Sequence, residues 1–181
     1  MKREKYFRRA DRETFNDAYR IIEFSFPDYE RRSQAGQRAL LDVPEYELLI
    51  KDTDKKKAVA AMGVWHLSDF DYIEHAAVSG KARGGGIGSR IFEEYFKING
   101  DRMIFLEVEP PEERDAKRRI KFYERLGFHL NTYEYYQPPL RKGMSKLPLQ
   151  VMTYPKPIDK GRFNACKSEL METVYHKDLK E

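Results

Sequence analysis

One cysteine, one tryptophan and four histidines are spread over 181 residues. A lone Cys166 excludes an internal disulfide and any zinc site built from several thiolates, and it favours a reducing compartment. His66, His129 and His176 show no metal-ligand spacing, so no metal is expected. Long apolar runs are missing too: the longest fall far short of the ~20 residues that cross a bilayer. Residues 1–12 are charged throughout, where a secretory leader needs an apolar centre. No internal repeat or low-complexity tract interrupts the chain. These absences point to a soluble cytoplasmic protein with no membrane partner.

Lys and Arg number 34 against 30 Asp and Glu, a net charge of +4. The two signs are interleaved, and a block such as Lys55-Lys56-Lys57 reads as solvated surface rather than a phosphate stripe, so nucleic acid is not an expected partner. Charged residues reach 35%, yet aromatics at 13% and hydrophobic residues at 40% supply the apolar surface for collapse. Disorder and collagen-like repeats are thereby excluded, and the length suits one domain.

Periodicity gives the element order. After a short strand at Tyr6-Phe7, Asp11 offers an N-cap, and Phe15, Ala18, Tyr19 and Ile22 form an amphipathic stripe that ends before Pro27. A second helix is expected from about Glu30 to Leu41. Tyr46–Lys51, Ala58–Leu67 and Asp71–Val78 then alternate with polar turns, as in an antiparallel meander. A helix follows with Ile87, Ile91, Tyr95 and Ile98 on its buried face, then a buried strand at Met103–Val108. Pro110-Pro111 breaks the chain before a basic helix at about Asp115–Leu126, which Gly127 stops. Strands near Phe128–Tyr136 and Leu149–Tyr154 complete a mixed α/β (α+β) domain on one sheet. Residues 155–181 add a helix with Phe163, Cys166, Leu170 and Val174 on one side, packed on its own domain or on a second subunit of a homodimer.

Between the third meander strand and the next helix lies Arg83-Gly84-Gly85-Gly86-Ile87-Gly88. Glycines at such a junction let backbone N–H groups approach a phosphate, with the helix dipole adding to the attraction. A dinucleotide fingerprint needs Gly at i, i+2 and i+5. Counting from Gly84 the last position is Ser89, and from Gly86 it is Ile91. Glu109 imitates a ribose-binding acid, but the preceding strands read as antiparallel. A Walker loop is excluded because no Gly-Lys-Ser/Thr follows. The loop does fit Gln/Arg-x-x-Gly-x-Gly/Ala.

With that loop, the segment from Tyr72 to Ser89 resembles the acyl-CoA-binding core of the GNAT superfamily of N-acetyltransferases. Downstream, Phe122-Tyr123-Glu124-Arg125-Leu126-Gly127-Phe128 is similar to the family's Phe-Tyr-x-x-x-Gly-Phe signature at the expected distance. The element order agrees from about Tyr6 to Tyr154. The resemblance implies a single mixed sheet with helices on both faces and a splayed central strand pair. It implies acetyl-CoA as cosubstrate, its pyrophosphate on the amides of Gly84, Gly85, Gly86, Ile87, Gly88 and Ser89. Arg83, Lys81 or Arg90 would add positive charge. The edge Ala76-Ala77-Val78 would receive the pantetheine arm like an added strand.

Acetyl transfer to an amine needs a deprotonated nitrogen, a stabilised oxyanion and a proton for the departing thiolate. The resemblance assigns the base to Glu74 and the acid to Tyr123. If strand alternation is regular, Glu74 and His75 face opposite ways and only one can serve; Glu107 and Glu109 are substitutes. One departure stands out: many family members carry Asn seven positions before the Tyr, where this chain has Ala116. The acceptor is expected to be a small-molecule or peptide amine. It would sit against Phe24, Phe26, Tyr29, Tyr133, Tyr135, Tyr136 and Tyr154, where cation–π attraction suits an ammonium. A non-catalytic acyl-CoA sensor is the alternative.

Overall fold

The computed structural model describes residues 6–175, so His176 and the end of the expected extension lie outside it. In chain order the elements are β1 (Arg8–Arg9), α1 (Phe15–Ser25), α2 (Gln34–Ala39), β2 (Tyr46–Asp52), β3 (Ala58–His66) and β4 (Phe70–Val78). They continue with α3 (Ile87–Asn99), β5 (Met103–Val108), α4 (Arg114–Arg125), β6 (His129–Gln137), β7 (Leu147–Tyr154) and α5 (Lys160–Thr173). Among the described residues the strands form one seven-stranded sheet, ordered β1-β2-β3-β4-β5-β7-β6. β2, β3 and β4 are the expected antiparallel meander, and β4 runs parallel to β5.

The helices divide between the two faces. α1 and α5 bury Phe15, Ile22, Phe163 and Leu170 with Trp65, Tyr72 and Phe105. α3 and α4 bury Ile91, Phe92, Tyr95 and Ile120 with Met62, Ile73 and Leu106. The α5 stripe of Phe163, Cys166 and Leu170, with Val174 just beyond, is buried against the same chain. Glu169 accepts from the Ser68 amide at 2.7 Å, and Arg162 pairs with Asp69 at 2.7 Å.

Four local expectations change. Pairing at the N-terminus falls on Arg8 and Arg9, opposite Ile50 and Leu49, rather than on Tyr6-Phe7. The Arg8–Asp52 ion pair fixes that register while Phe7 is buried in the core. α1 starts at Phe15 because the Asp11 carboxylate closes its own turn, accepting from the amides of Glu13 and Thr14 at 3.0 and 2.8 Å. The single helix expected over Glu30–Leu41 is split. Two 3₁₀ turns, Asp28–Glu30 and Leu40–Asp42, flank α2, and the Ser33 hydroxyl caps α2 by accepting from the Gly36 amide. Arg31 is extended between them. In α3, Phe92 and Phe96 move the buried stripe toward α4, and Ile98 is left 64% exposed.

At the end of β4 away from the glycine loop, Asp71 is buried among His66, Tyr95, Asn99 and Arg102, all at hydrogen-bond distance. Burial pushes its carboxyl up, but the bonds from His66, Tyr95 and Asn99 outweigh this and hold it at about 2. Its bond to His66, with a second from Glu47, raises that imidazole to about 9. The signs follow from linkage. The Asp71 contribution is complete above the ordinary carboxylate value and lost as pH falls toward about 2. The His66 contribution is complete below the ordinary imidazole value and lost as pH rises through about 9. Melting temperatures of wild type and His66→Gln, measured across that alkaline range, are expected to converge as pH rises; a constant gap contradicts the ion pair.

Candidate active site

The β4–β5 pairing runs from Phe70–Met103 to Ile73–Leu106 and stops there. Beyond Ile73 the two strands separate, so on its β5 side the stretch Glu74–Val78 presents unpaired backbone groups to a cleft. On the other side of β4 the register jumps: Val64 faces Ile73, yet Gly63 faces His75, which makes Glu74 the extra residue of a bulge. Regular alternation is thereby broken. Glu74 and His75 point to the same face, with His75 Nδ1 3.6 Å from Glu74 Oε2. The expectation that the two face opposite ways is corrected by this bulge.

A cavity of about 50 Å³ opens at the splay, lined by Phe26, Glu30, Glu74, His75, Glu107, Glu109, Arg119, Tyr123 and Gln137, among others. Each acid but one has a partner. Glu74, its side chain 1% exposed, takes Nε and Nη2 of Arg32 on Oε1 at 3.3 and 3.2 Å, and Arg32 also donates to the Val174 carbonyl at 3.0 Å. Glu107 accepts from the Tyr72 hydroxyl at 2.8 Å, the Tyr175 hydroxyl at 2.9 Å and the Gln137 amide at 2.7 Å, and from Tyr135 as well. Burial pushes Glu107 up, and these four donors oppose the shift. Glu109 pairs with Arg119 at 3.0 Å. Among the described residues, the Glu30 carboxyl alone of the four has no hydrogen bond or ion pair.

Among the described residues, three buried acceptors on residues of this cavity also lack a donor: Glu74 Oε2, His75 Nδ1 and Gln137 Oε1. His75 Nε2 lies 3.0 Å from the Glu30 carbonyl, which can only accept. That bond assigns the ring proton to Nε2 and leaves a lone pair on Nδ1. Burial keeps the ring neutral by lowering its affinity for a second proton. Acceptors without donors around one cavity call for an occupant rich in N–H or O–H groups.

Tyr123 stands where this cavity meets a larger groove of about 710 Å³. Burial pushes its phenol up to about 12, against the pull of Arg119. Its hydroxyl makes no hydrogen bond among the described residues. The groove is lined by Ala76, Ala77 and Val78 of β4, by Arg83, Gly84, Gly86, Ile87, Gly88 and Ser89, and by Asp115, Arg118, Phe122 and Arg125 of α4. Of the β4 edge and the glycine loop expected at the cofactor, every residue lines it except Gly85. Gly84 and Gly86 have φ of +85° and +74°, and neither has a heavy atom within 4 Å of where a Cβ would stand. Gly86 caps α3 without any side-chain hydrogen bond, so among the described residues the first amides of this 13-residue helix have no side-chain acceptor.

Other expectations change here. Arg83 is tied to the Val78 carbonyl at 3.1 Å and to Ser25 at 3.3 Å, pinning the loop to β4. Lys81 does not line the groove, and Arg90 pairs with Glu94 at 2.9 Å. Arg118 and Arg125 supply cationic side chains instead. Their seven-residue spacing on the face of α4 opposite Ala116 and Ile120 is a signal the sequence carries. The aromatic wall does not assemble: of its seven residues only Phe26 lines the cavity. Tyr135 holds Glu107, Tyr154 stacks on Phe96, and Phe24 is 85% exposed. Acids replace the aromatics, and Glu30 in its irregular turn gave no periodic signal at all. Ala116, the position where the Asn is missing, is buried in the core.

Known proteins match this architecture. The sequence model of the Acetyltransferase (GNAT) domain matches residues 45–130. The Bacillus subtilis (strain 168) protein named "Putative acetyltransferase YjbC" is 31% identical over 112 residues, 61% of this chain and 55% of that protein. The chain therefore matches little more than half of that relative's length. A structure from Bacteroides thetaiotaomicron, named in the same provisional terms as a GNAT-family acetyltransferase, superposes with a TM-score of 0.85 at 31% identity, covering 93% of this chain and 97% of the other. An aminoglycoside 6'-N-acetyltransferase complexed with coenzyme A shares the fold, with a TM-score of 0.59 at 17% identity over 85% and 99% of the two chains. With the splayed strands, the glycine loop and the Tyr123 motif in their places, this chain belongs to the GNAT family of acetyltransferases.

Proposed function

We propose that the protein transfers an acetyl group from acetyl-CoA to the nitrogen of a cationic primary amine, on a small molecule or a peptide. The observation that carries this reading is the cavity beside Tyr123, with its carboxylates and three donor-less acceptors. An ammonium head satisfies them with its N–H groups and is drawn in by the negative charge. The groove fits the cosubstrate on two counts: the uncapped α3 amides suit a pyrophosphate, and the unpaired edge Ala76-Ala77-Val78 suits an amide-bearing arm. Acetyl-CoA supplies an activated carbonyl and a thiolate leaving group.

The chain's own residues do the rest. Glu74 Oε2 and His75 Nδ1 accept N–H groups of the amine and orient it. The free amides of β4 beyond the splay are the donors available to the developing oxyanion. Tyr123 gives its proton to the departing sulfur and is reprotonated by the proton the nitrogen sheds after attack. With its phenol near 12, Tyr123 remains protonated throughout the working range.

The test couples binding to turnover. Wild type is expected to bind CoA in calorimetry and to release thiol from acetyl-CoA when diamines, aminoglycosides or peptides with free amino groups are added. Binding with no amine-dependent thiol release supports the sensor reading instead. Gly86→Val forces a β-branched residue into the left-handed region, a conformation costing about 1–2 kcal/mol. The variant is expected to weaken CoA binding by about tenfold, with the melting temperature lowered by only about 2–8 °C and the fold retained. Unchanged affinity contradicts the loop's role.

A further inference from the structure

We propose that Glu30, in the turn between α1 and α2, is the group that takes the proton from the acceptor's ammonium. The inference rests on the amine-acetylating reading above and moves the base from Glu74, where the family resemblance puts it.

A proton acceptor must reach the substrate and have a lone pair to spare. Of the four carboxylates lining the cavity, three are already engaged. Glu107 is surrounded by three phenols and an amide, and Glu109 faces Arg119. A proton on Glu74 would leave the buried Arg32 guanidinium beside a neutral acid, which disrupts a buried pair. Glu30 is half-buried, faces the cavity and carries no such engagement.

Its position is nevertheless fixed. His75 bonds its carbonyl at 3.0 Å, and Arg141 donates to the carbonyls of Arg31 and Arg32 at 3.0 and 3.1 Å. Arg31 reaches back to the Tyr19 hydroxyl at 2.8 Å and the Phe26 carbonyl at 3.2 Å. A rigid backbone with an unengaged carboxyl is what a repeated proton transfer requires.

The charged surroundings set when it works. Glu107 faces it from β5 and Glu109 from just past that strand's end, Arg119 and Tyr123 from α4, Glu74 and His75 from β4; Asp28 and Arg31 on its own turn pair with each other. Burial first, then Glu109 and Glu107, push its carboxyl up to about 7, with Arg119 opposing. An acid of that strength is largely ionised in slightly alkaline solution and hands its proton readily to water. In the step, the ammonium loses one proton to Glu30, and the nitrogen lone pair forms the N–C bond. The C–S bond then breaks, Tyr123 protonates the sulfur, and the nitrogen's second proton restores Tyr123. Glu30 releases its proton to solvent, so one proton leaves per turnover.

The test is the pH profile of kcat/KM with the amine that wild type turns over best. Wild type is expected to rise through an inflection near 7. Glu30→Gln is expected to lose the inflection and about 10²-fold or more in kcat, with CoA affinity unchanged. Glu30→Asp is expected to keep the inflection at reduced rate. A Glu30→Gln profile like wild type overturns the proposal, as does an inflection that only Glu74→Gln removes. Lost CoA binding in Glu30→Gln also overturns it, since the residue would then be structural. If wild type acetylates no amine, the function reading itself fails and the Glu30 role falls with it.

Discussion

Tyr123→Phe is expected to lower kcat by about 10² to 10⁴-fold, the usual worth of a positioned acid or base, with little change in CoA affinity or melting temperature. The split follows from the site. The ring of Tyr123 packs edge-on against Phe92 and Phe128, contacts that Phe preserves. The hydroxyl makes no hydrogen bond among the described residues, so its loss costs the fold nothing there. It is at the junction of groove and cavity, where the proposed transfer would bring the departing sulfur and the incoming nitrogen together. A second readout isolates the role: acetyl donors with more acidic leaving thiols need less proton donation and should lose less rate in the variant. Equal rates for wild type and variant remove Tyr123 from the reaction.

The second large effect is on stability. Arg32 and Glu74 each have a side chain only 1% exposed. Removing one partner of such a pair strands the other charge, which costs about 3–5 kcal/mol. Arg32→Met should therefore lower the denaturation midpoint steeply. It strips a cation–π contact from Trp65 and a donor from the Val174 carbonyl, tying the loss to the end of α5. Replacing both partners, Arg32→Met with Glu74→Leu, should recover most of the stability, because an apolar pair of similar volume leaves no buried charge. The double variant should still bind the amine poorly, seen as a raised KM, since Glu74 Oε2 is gone. A single Arg32→Met variant as stable as wild type contradicts the pair as drawn.

The same residues separate what sequence reasoning reached from what it did not. Strong local patterns carried the meander, the α1 stripe, the α5 stripe and the glycine loop, because each is fixed by periodicity or by a backbone only glycine tolerates. The groove lining follows, since Gly84 to Ser89 are contiguous and Tyr123 is in register with them. The cavity's chemistry lies elsewhere. One bulged residue at Glu74 reverses the side to which His75 would otherwise point, and no composition rule announces a bulge in a strand. Glu30 comes from an irregular turn, Glu107 from β5, and Arg32 from the link before α2. Only tertiary packing brings them together. The expected aromatic wall failed for a related reason: Tyr135 spends its hydroxyl on a buried carboxylate, Tyr133 donates its own to the Ile158 carbonyl, and Tyr154 packs against the opposite core cluster.

The most direct test is the mass of the acceptor after incubation with acetyl-CoA and purified protein, across a panel of diamines, aminoglycosides and amine-bearing peptides. At least one cationic amine should gain a single acetyl group on nitrogen, in step with thiol release, and the product should fall sharply with Tyr123→Phe and with Glu30→Gln. Tight CoA binding with every amine recovered unmodified would contradict catalysis at this site.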